Sequence, residues 1–422
     1  MSLRARAYGT LLVAIGIGGS AGVATPGVGA ARTGVGAAAP GAGTERLSAA
    51  ADTGPVVVRN EGDGTWTAQS AWRLARVVRI GDVEGDGPAV FGRIDDARLG
   101  PDGNVYVLDS QAPAVKVFTP EGTFVRAIGR SGRGPGELTD PYSLAFDGQG
   151  RLWVADAGTG RYTVFTLGGE LVRTVASLLN GRPLVGQLTI SNDTLCDIGR
   201  MVETVRNGAS ISMRGVGFVA VRFVVGEKLD VVDTTHLTET RAKGLKRVRG
   251  GMTMTVLPGN YVHDVRTLGP DGSLWTGTTD RYAVHHVLPG HDTTRIVTRA
   301  VEPTPFDKKD AEGMRAWVRK MRDRGFEGDV SELPRAYPLF ARFLVTGDGY
   351  LWVLRRLTNT ANGFDVFDTT GVFLGTVPTV LSTGSASVQP HERDGHLVGV
   401  VADSLGVQYV EVDRIVKTGG GM

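Results

Sequence analysis

Two stretches decide the fold: "VYVLDSQAPAVKVFTPEGTFVR" at 105–126 and "LWVADAGTGRYTVFTLGGELVR" at 152–173. They align without a gap at an offset of 47, and eight of the 22 positions are identical, among them Asp109/Asp156, Phe118/Phe165 and Gly122/Gly169. Self-similarity at a fixed period of this length is the signature of a repeat architecture. Within each copy a short apolar run leads to a turn, then to an alternating segment ending in Phe, then to a Gly-centred turn and another alternating segment. That grammar spells short antiparallel strands joined by tight turns, four to a unit, which is one propeller blade.

Weaker copies follow. "DGNVY" at Asp102 recurs as "DGSLW" at Asp271 and "DGYLW" at Asp348, and "DVFDTTGVFLGTV" from Asp365 repeats the pattern of "KVFTPEGTFVRAI" from Lys116. Anchors at Tyr106, Trp153, Leu195, Trp275, Trp352 and Leu397 give a count of six. "RVVRIG" at 76–81 reads as the outer strand of a blade with no inner strands before it, and "VQYVEV" at 407–412 lacks an outer strand after it. The N-terminal strand is therefore expected to complete the last blade, which removes the open sheet edges.

The pattern resembles the NHL-repeat type of six-bladed β-propeller found among exported bacterial proteins. The motifs that carry the resemblance are "DGNVYVLDSQAPAVKVF", "QGRLWVADAGTGRYTVF" and "IGRSGRGPGEL". It implies an all-β fold of four-stranded antiparallel blades over 65–417, weakest in the third blade. The glycine-rich "GRSGRGPGEL" has neither Walker spacing nor a following helix to aim amides at a phosphate, so it reads as a connection between blades.

Before the repeats, Arg4 and Arg6 precede the apolar Leu11–Ile17, and Val28-Gly29-Ala30 offers a cleavage site. Residues 1–30 are thus expected to be a signal peptide, leaving an exported, periplasmic or extracellular protein. The apolar run is too short for a membrane-spanning helix. Residues 31–64 read as an Ala/Gly/Pro-rich linker and 418–422 as a tail. Cys196 is the single cysteine, expected as a small buried hydrophobe. A net charge of +2 argues against a nucleic-acid binder. A monomer is expected.

Two segments break the repeat. Over about 303–336, "DKKDAEGMRAWVRKMRDRG" places Ala311, Met314, Trp317, Val318 and Met321 at helical spacing, a helix that packs over one propeller face or caps a cleft there. "RAKGLKRVRGG" at 241–251 is a basic loop without the interleaved aromatics that stack bases.

Chemistry is harder to locate. The seven histidines include no metal-ligand pair on a helix, and no Gly-x-Ser-x-Gly elbow is present. Asp95, Asp140 and Asp264 each stand seven residues before the Asp of an Asp-Gly turn (Asp102, Asp147, Asp271), at the entrance to the innermost strand. Three carboxylates there are candidate ligands for a Ca²⁺-type cation, or else turn caps. In the fifth blade that register holds Ala341, with Arg342 beside it. Arg342, His263 and Trp317 are the candidate ligand-binding residues. The leading expectation is a non-catalytic module binding a peptide, glycan or protein. The competing one is a metal-assisted hydrolase or lyase at the channel mouth, so catalysis stays open.

Overall fold

The computed structural model describes residues 54–418 and Val13–Gly16, apart from positions 177, 180–181, 184–185, 192–193, 208–209, 227–228, 238–243, 250–251, 259–261 and 384–387. The expected cleavage site, the first part of the linker, the start of the basic segment and most of the tail lie outside the described residues.

Six four-stranded antiparallel sheets follow one another around a ring. Blade 1 runs Ile94–Leu99, Val105–Asp109, Ala114–Phe118 and Phe124–Ile128 from inside to outside, and blade 2 runs Pro141–Phe146, Leu152–Asp156, Arg161–Phe165 and Leu171–Ala176. Blade 3 is Gly186–Ser191, Thr194–Asn207, Ser210–Val225 and Leu229–Leu237; its two middle strands pair far beyond the length of their counterparts. Blade 4 starts at Asp264–Leu268 and ends at Thr293–Arg299, and blade 5 runs from Arg342–Val345 to Phe373–Thr379. Blade 6 is built from both ends of the ring: His391–Arg393, His396–Ala402 and Gln408–Val416, with Arg73–Ile80 as its outer strand. This is the closure that the unpaired "RVVRIG" called for.

The core explains the repeat. Within the ring the buried apolar side chains form six clusters, one at each boundary between neighbouring blades. Successive side chains of a strand point to opposite faces. In blade 1, Val105 and Val107 therefore pack towards blade 6, while Tyr106 and Leu108 pack towards blade 2. Both faces are covered, so all five residues of Val105–Asp109 are buried and the strand reads as a continuous apolar run. The aromatic anchors keep a polar tip satisfied at the preceding turn: Tyr106 donates its hydroxyl to Asp102 at 3.0 Å, and the Trp153 indole N–H donates to Asp147 at 2.7 Å. Gly103, Gly272 and Gly349 of the Asp-Gly turns have φ of +79°, +77° and +83°, the left-handed region that glycine enters without strain.

Two anchors need correction. Leu195 and Leu397 pack towards the preceding blade, whereas Tyr106, Trp153, Trp275 and Trp352 pack towards the following one. The residues that face forward in blades 3 and 6 are Cys196 and Val398. A one-residue slip exchanges the two faces of a strand. In blade 3 the slip puts Asp197 where Val107 and Val154 pack in blades 1 and 2. Asp197 is wholly buried and accepts hydrogen bonds from Tyr142 at 2.9 Å and Tyr162 at 2.5 Å. Burial raises its carboxyl, the two phenols hold it back, and the balance leaves it pushed up to about 6. Cys196 is buried as expected, and burial pushes its thiol up to about 11.

The linker also needs correction. Val56–Asn60 lies within 31–64 but adds a fifth, parallel strand to blade 4. Asn60 fastens it to the next blade, donating to the Gly371 carbonyl at 2.9 Å and accepting from the Phe373 amide at 2.8 Å. Val13–Gly16, inside the expected signal peptide, pairs with Met252–Val256.

Removing Arg73–Ile80 should lower the melting temperature and cause self-association, because Gln408–Val416 becomes an open edge. A truncated chain that stays monomeric and melts like the parent would refute the closure. Asp197→Asn should stabilise the protein increasingly as pH rises from about 4 to about 6. A raised carboxyl keeps its proton in the fold while the unfolded chain, at about 3.9, loses it, so the parent loses stability through that window. Melting curves across this range should show the gap widen and then level off; a gap independent of pH would contradict the buried charge.

Candidate functional site at the channel mouth

The ring's first strands all begin on one face, and the connections between blades lie there too. "GRSGRGPGEL" is one of them. Arg130–Ser131 and Glu137–Leu138 pair in parallel, Leu138 is buried, and the Glu137 carboxylate accepts from the Gly134 amide at 2.7 Å and from Arg130 at 3.0 Å. The loop supplies its own anion to its glycine amides, in keeping with a connection between blades.

In blades 1, 2 and 4 the chain entering the inner strand is held by a side chain at the end of the second strand. Asp109 accepts from the amides of Gly92 at 3.1 Å, Arg93 at 3.2 Å and Gln111 at 3.2 Å, with Lys116 at 3.0 Å. Asp156 does the same in blade 2, accepting from Thr139 at 2.8 Å, Asp140 at 3.0 Å and Gly158 at 2.9 Å. In blade 4 the Thr279 hydroxyl takes this place, accepting from the His263 amide at 3.1 Å. In blade 5 the charges are exchanged: Arg355 stands on the second strand and donates to Asp365 on the third at 2.7 Å.

The inner-strand entrances of blades 1, 3, 4 and 5, with the segment that leads into blade 6, line a cavity of about 560 Å³. Its wall contains Arg93, Arg266 and Arg342, the carboxylates Asp95 and Asp264, His263, and the amides of Gln187, Gln389 and Gln408. Asp95 is clasped by Arg93 at 2.6 Å, and Asp264 accepts from Arg266 at 3.0 Å and from the Thr278 hydroxyl at 3.0 Å. Each pair is two residues apart on one strand or at its entrance, the spacing that puts side chains on the same face.

The predicted residues are therefore brought together in part. Asp95, His263, Asp264 and Arg342 share the mouth. Asp140 does not line it; it is exposed, with its backbone amide held by Asp156. Among the described residues no three His, Cys, Asp or Glu side chains come together with metal-binding spacing, so Asp95, Asp140 and Asp264 do not converge. Asp95 and Asp264 are each met by a guanidinium group of the same strand or its entrance.

Trp317 lies elsewhere. The helix Lys308–Asp323 begins at an Asp307 cap, whose side chain accepts from the Asp310 amide at 2.8 Å, and it packs on the hairpin of Leu245–Arg249 and Met252–Val256. Leu245, Val256, Met321 and Phe326 form the shared cluster, with Trp317 against it. Lys246 and Glu327 exchange backbone hydrogen bonds of 2.7 Å. The segment expected as a basic loop is thus largely a hairpin, and its Arg247 donates to the Arg324 carbonyl at 2.7 Å. The two insertions clasp one another on the face that carries the mouth.

A second chamber of about 290 Å³ continues along the axis, sharing Gln187 and Gln389 with the first. Its wall holds a network that sequence reasoning missed. Asp96, buried, accepts from Arg98 at 3.0 Å, Ser143 at 3.0 Å, the Leu144 amide at 2.8 Å and His391 Nε2 at 3.0 Å. Arg98 reaches on to the Leu188 carbonyl at 2.9 Å. Blades 1, 2, 3 and 6 are tied together at the axis. Burial alone would raise the Asp96 carboxyl, but Arg98, His391 and the Leu144 amide reverse that and hold it far below the usual carboxylate range. Burial and then Arg98 push His391 below the ordinary histidine range against the pull of Asp96, so the imidazole is neutral at pH 7 and donates its Nε2–H. The available signal was the second Asp of "IDDARL", an acid in a strand slot where alternation calls for an inward-facing side chain.

Asp96→Ala should cost about 3–5 kcal/mol, because it strands Arg98 without its buried partner. Asp95→Ala should cost about 0–1 kcal/mol, since its partner Arg93 is largely exposed. Urea unfolding of the two variants checks the contrast; equal losses would refute the axial network.

A family model described as a 6-bladed beta-propeller matches residues 91–177. No curated protein matches the chain. Among solved structures, a Bacteroides fragilis protein described as a candidate exported protein is 12% identical with a TM-score of 0.46, covering 86% of this chain and 100% of its own. A gluconolactonase from Xanthomonas campestris is 13% identical (TM-score 0.42; 76% and 86% covered), and a virginiamycin B lyase from Staphylococcus aureus is 10% identical (TM-score 0.38; 84% and 98% covered). Among the described residues no helix is long and apolar enough to cross a membrane. The matched family model and the ring of six four-stranded blades agree that this chain is a six-bladed β-propeller.

Proposed function

We propose that the protein is an exported binding module that takes a carboxylate-bearing segment of a peptide or glycan at the channel mouth. The observation that carries this reading is the composition of the wall. Three guanidinium groups face two carboxylates, with three glutamine amides between them. A ligand carboxylate is drawn to a wall that carries more guanidinium than carboxylate groups, and guanidinium groups bind it through charge-assisted, often bidentate hydrogen bonds. The glutamines add donors and acceptors for amides or hydroxyls. A cavity of about 560 Å³ is of the size that takes several residues or sugar units in part. The rival reading, a hydrolase or lyase at the same mouth, draws its support from His263 beside Asp264 in that wall.

The test is calorimetric titration with acidic oligopeptides and uronic-acid oligosaccharides, each beside its neutral counterpart. One acidic series should bind, and Arg342→Gln should weaken it about tenfold to a hundredfold through loss of a charged hydrogen bond. Equal binding of acidic and neutral ligands, or no effect of Arg342→Gln, would overturn the site. NMR of the bound mixture over time separates the rival: steady conversion of ligand that His263→Gln abolishes would make the mouth an active site.

A further inference from the structure

Beside the channel, the helix Lys308–Asp323 and the returning segment 330–335 flank a further cavity, of about 530 Å³, none of whose wall belongs to the mouth. Its floor is apolar. Met314 and Val318, one turn apart on the helix, face Leu333, which is buried on the returning segment. Trp317 and Met321 pack on the hairpin side of the helix, so Met314 and Val318 form a separate apolar stripe outside that cluster.

Its rim is basic. Arg315 and Arg319 stand one turn apart on the helix, and Arg335 stands on the returning segment. All three are exposed, and among the described residues none of their side chains meets a carboxylate at ion-pair distance. The helix reinforces the field: six of its residues are basic (Lys308, Lys309, Arg315, Arg319, Lys320, Arg322) against three acidic.

An apolar groove of this size, edged by guanidinium groups that the protein itself does not neutralise, is complementary to one chemistry. We infer that it binds a single-chain anionic amphiphile, a long-chain carboxylate, with its alkyl chain along Met314, Val318 and Leu333 and its head group between Arg315, Arg319 and Arg335. The chain covers apolar surface of the groove, and each methylene buried there adds to the affinity. The head group receives charge-assisted hydrogen bonds. A wholly polar anion would leave the floor uncovered, and a neutral hydrocarbon would leave three cations unmatched.

The experiment uses the whole chain and dodecanoate below its micelle range, with dodecanol and dodecyltrimethylammonium as neutral and cationic counterparts. Calorimetry should give saturable one-to-one binding of dodecanoate, with dodecanol weaker by about tenfold or more. Arg315→Gln with Arg319→Gln should weaken dodecanoate by a similar factor while leaving dodecanol unchanged. Both positions are exposed, so the melting temperature should stay at the parent value; if it falls, Arg335→Gln alone supplies the same comparison from the other wall. Equal affinity for dodecanoate and dodecanol, or an undiminished dodecanoate affinity in the arginine variants, would overturn the proposal. So would attachment to vesicles of anionic phospholipid without binding of monomeric dodecanoate, which would make the groove part of a membrane-contact surface.

Discussion

The structure depends on one constraint: the second strand of a blade must be covered on both faces. Val105–Asp109 is buried throughout, with alternate residues entering two different apolar clusters. A single blade cannot supply both covers, and neither can a row of blades that ends. Only a closed ring gives every such strand two neighbours, and six apolar clusters at six boundaries are the result. Closure in turn requires that the last sheet take a strand from the other end of the chain, as Arg73–Ile80 does.

Closing the ring creates an axial chamber. Arg98, Gln187, Gln389 and His391 stand in its wall beside apolar side chains, and Asp96 is bonded to Arg98 and His391. A charge at that depth survives only when paired and hydrogen-bonded. Asp96 therefore collects donors from several blades, and the network doubles as a cross-brace. At the mouth the pairs are local, each joining two residues of one strand or of its entrance. The insertions stand on this face because the connections between blades are there, and a connection can lengthen without disturbing any cluster of the ring.

Legibility followed periodicity. Strands, turns and the closing strand could be read because each obeys a period of two and an Asp-Gly punctuation that recurs. Leu195 and Leu397 were misread by one residue because both faces of a covered strand are apolar, so nothing in the local pattern marks which face is which. Val56–Asn60 does not stand out from the linker, because five residues beside an Ala/Gly-rich tract carry little signal, and its role rests on Asn60 reaching blade 5. Asp95, Asp264, His263 and Arg342 lie at or beside one register of the inner strand, and that register brings them to the mouth. Asp140 shares that register, yet position along a strand does not say how far a side chain stands from the axis.

By itself the sequence determined the repeat, the number of blades, the closure and the helical insertion, because these are one-dimensional facts about spacing. Tertiary structure alone decided which charges meet. Asp96 and His391 are 295 positions apart, and Lys246 and Glu327 are 81 apart; only the curvature of the ring and the clasp of two insertions bring them together. Pairings of that kind depend on distances across the fold, which spacing along a chain does not encode.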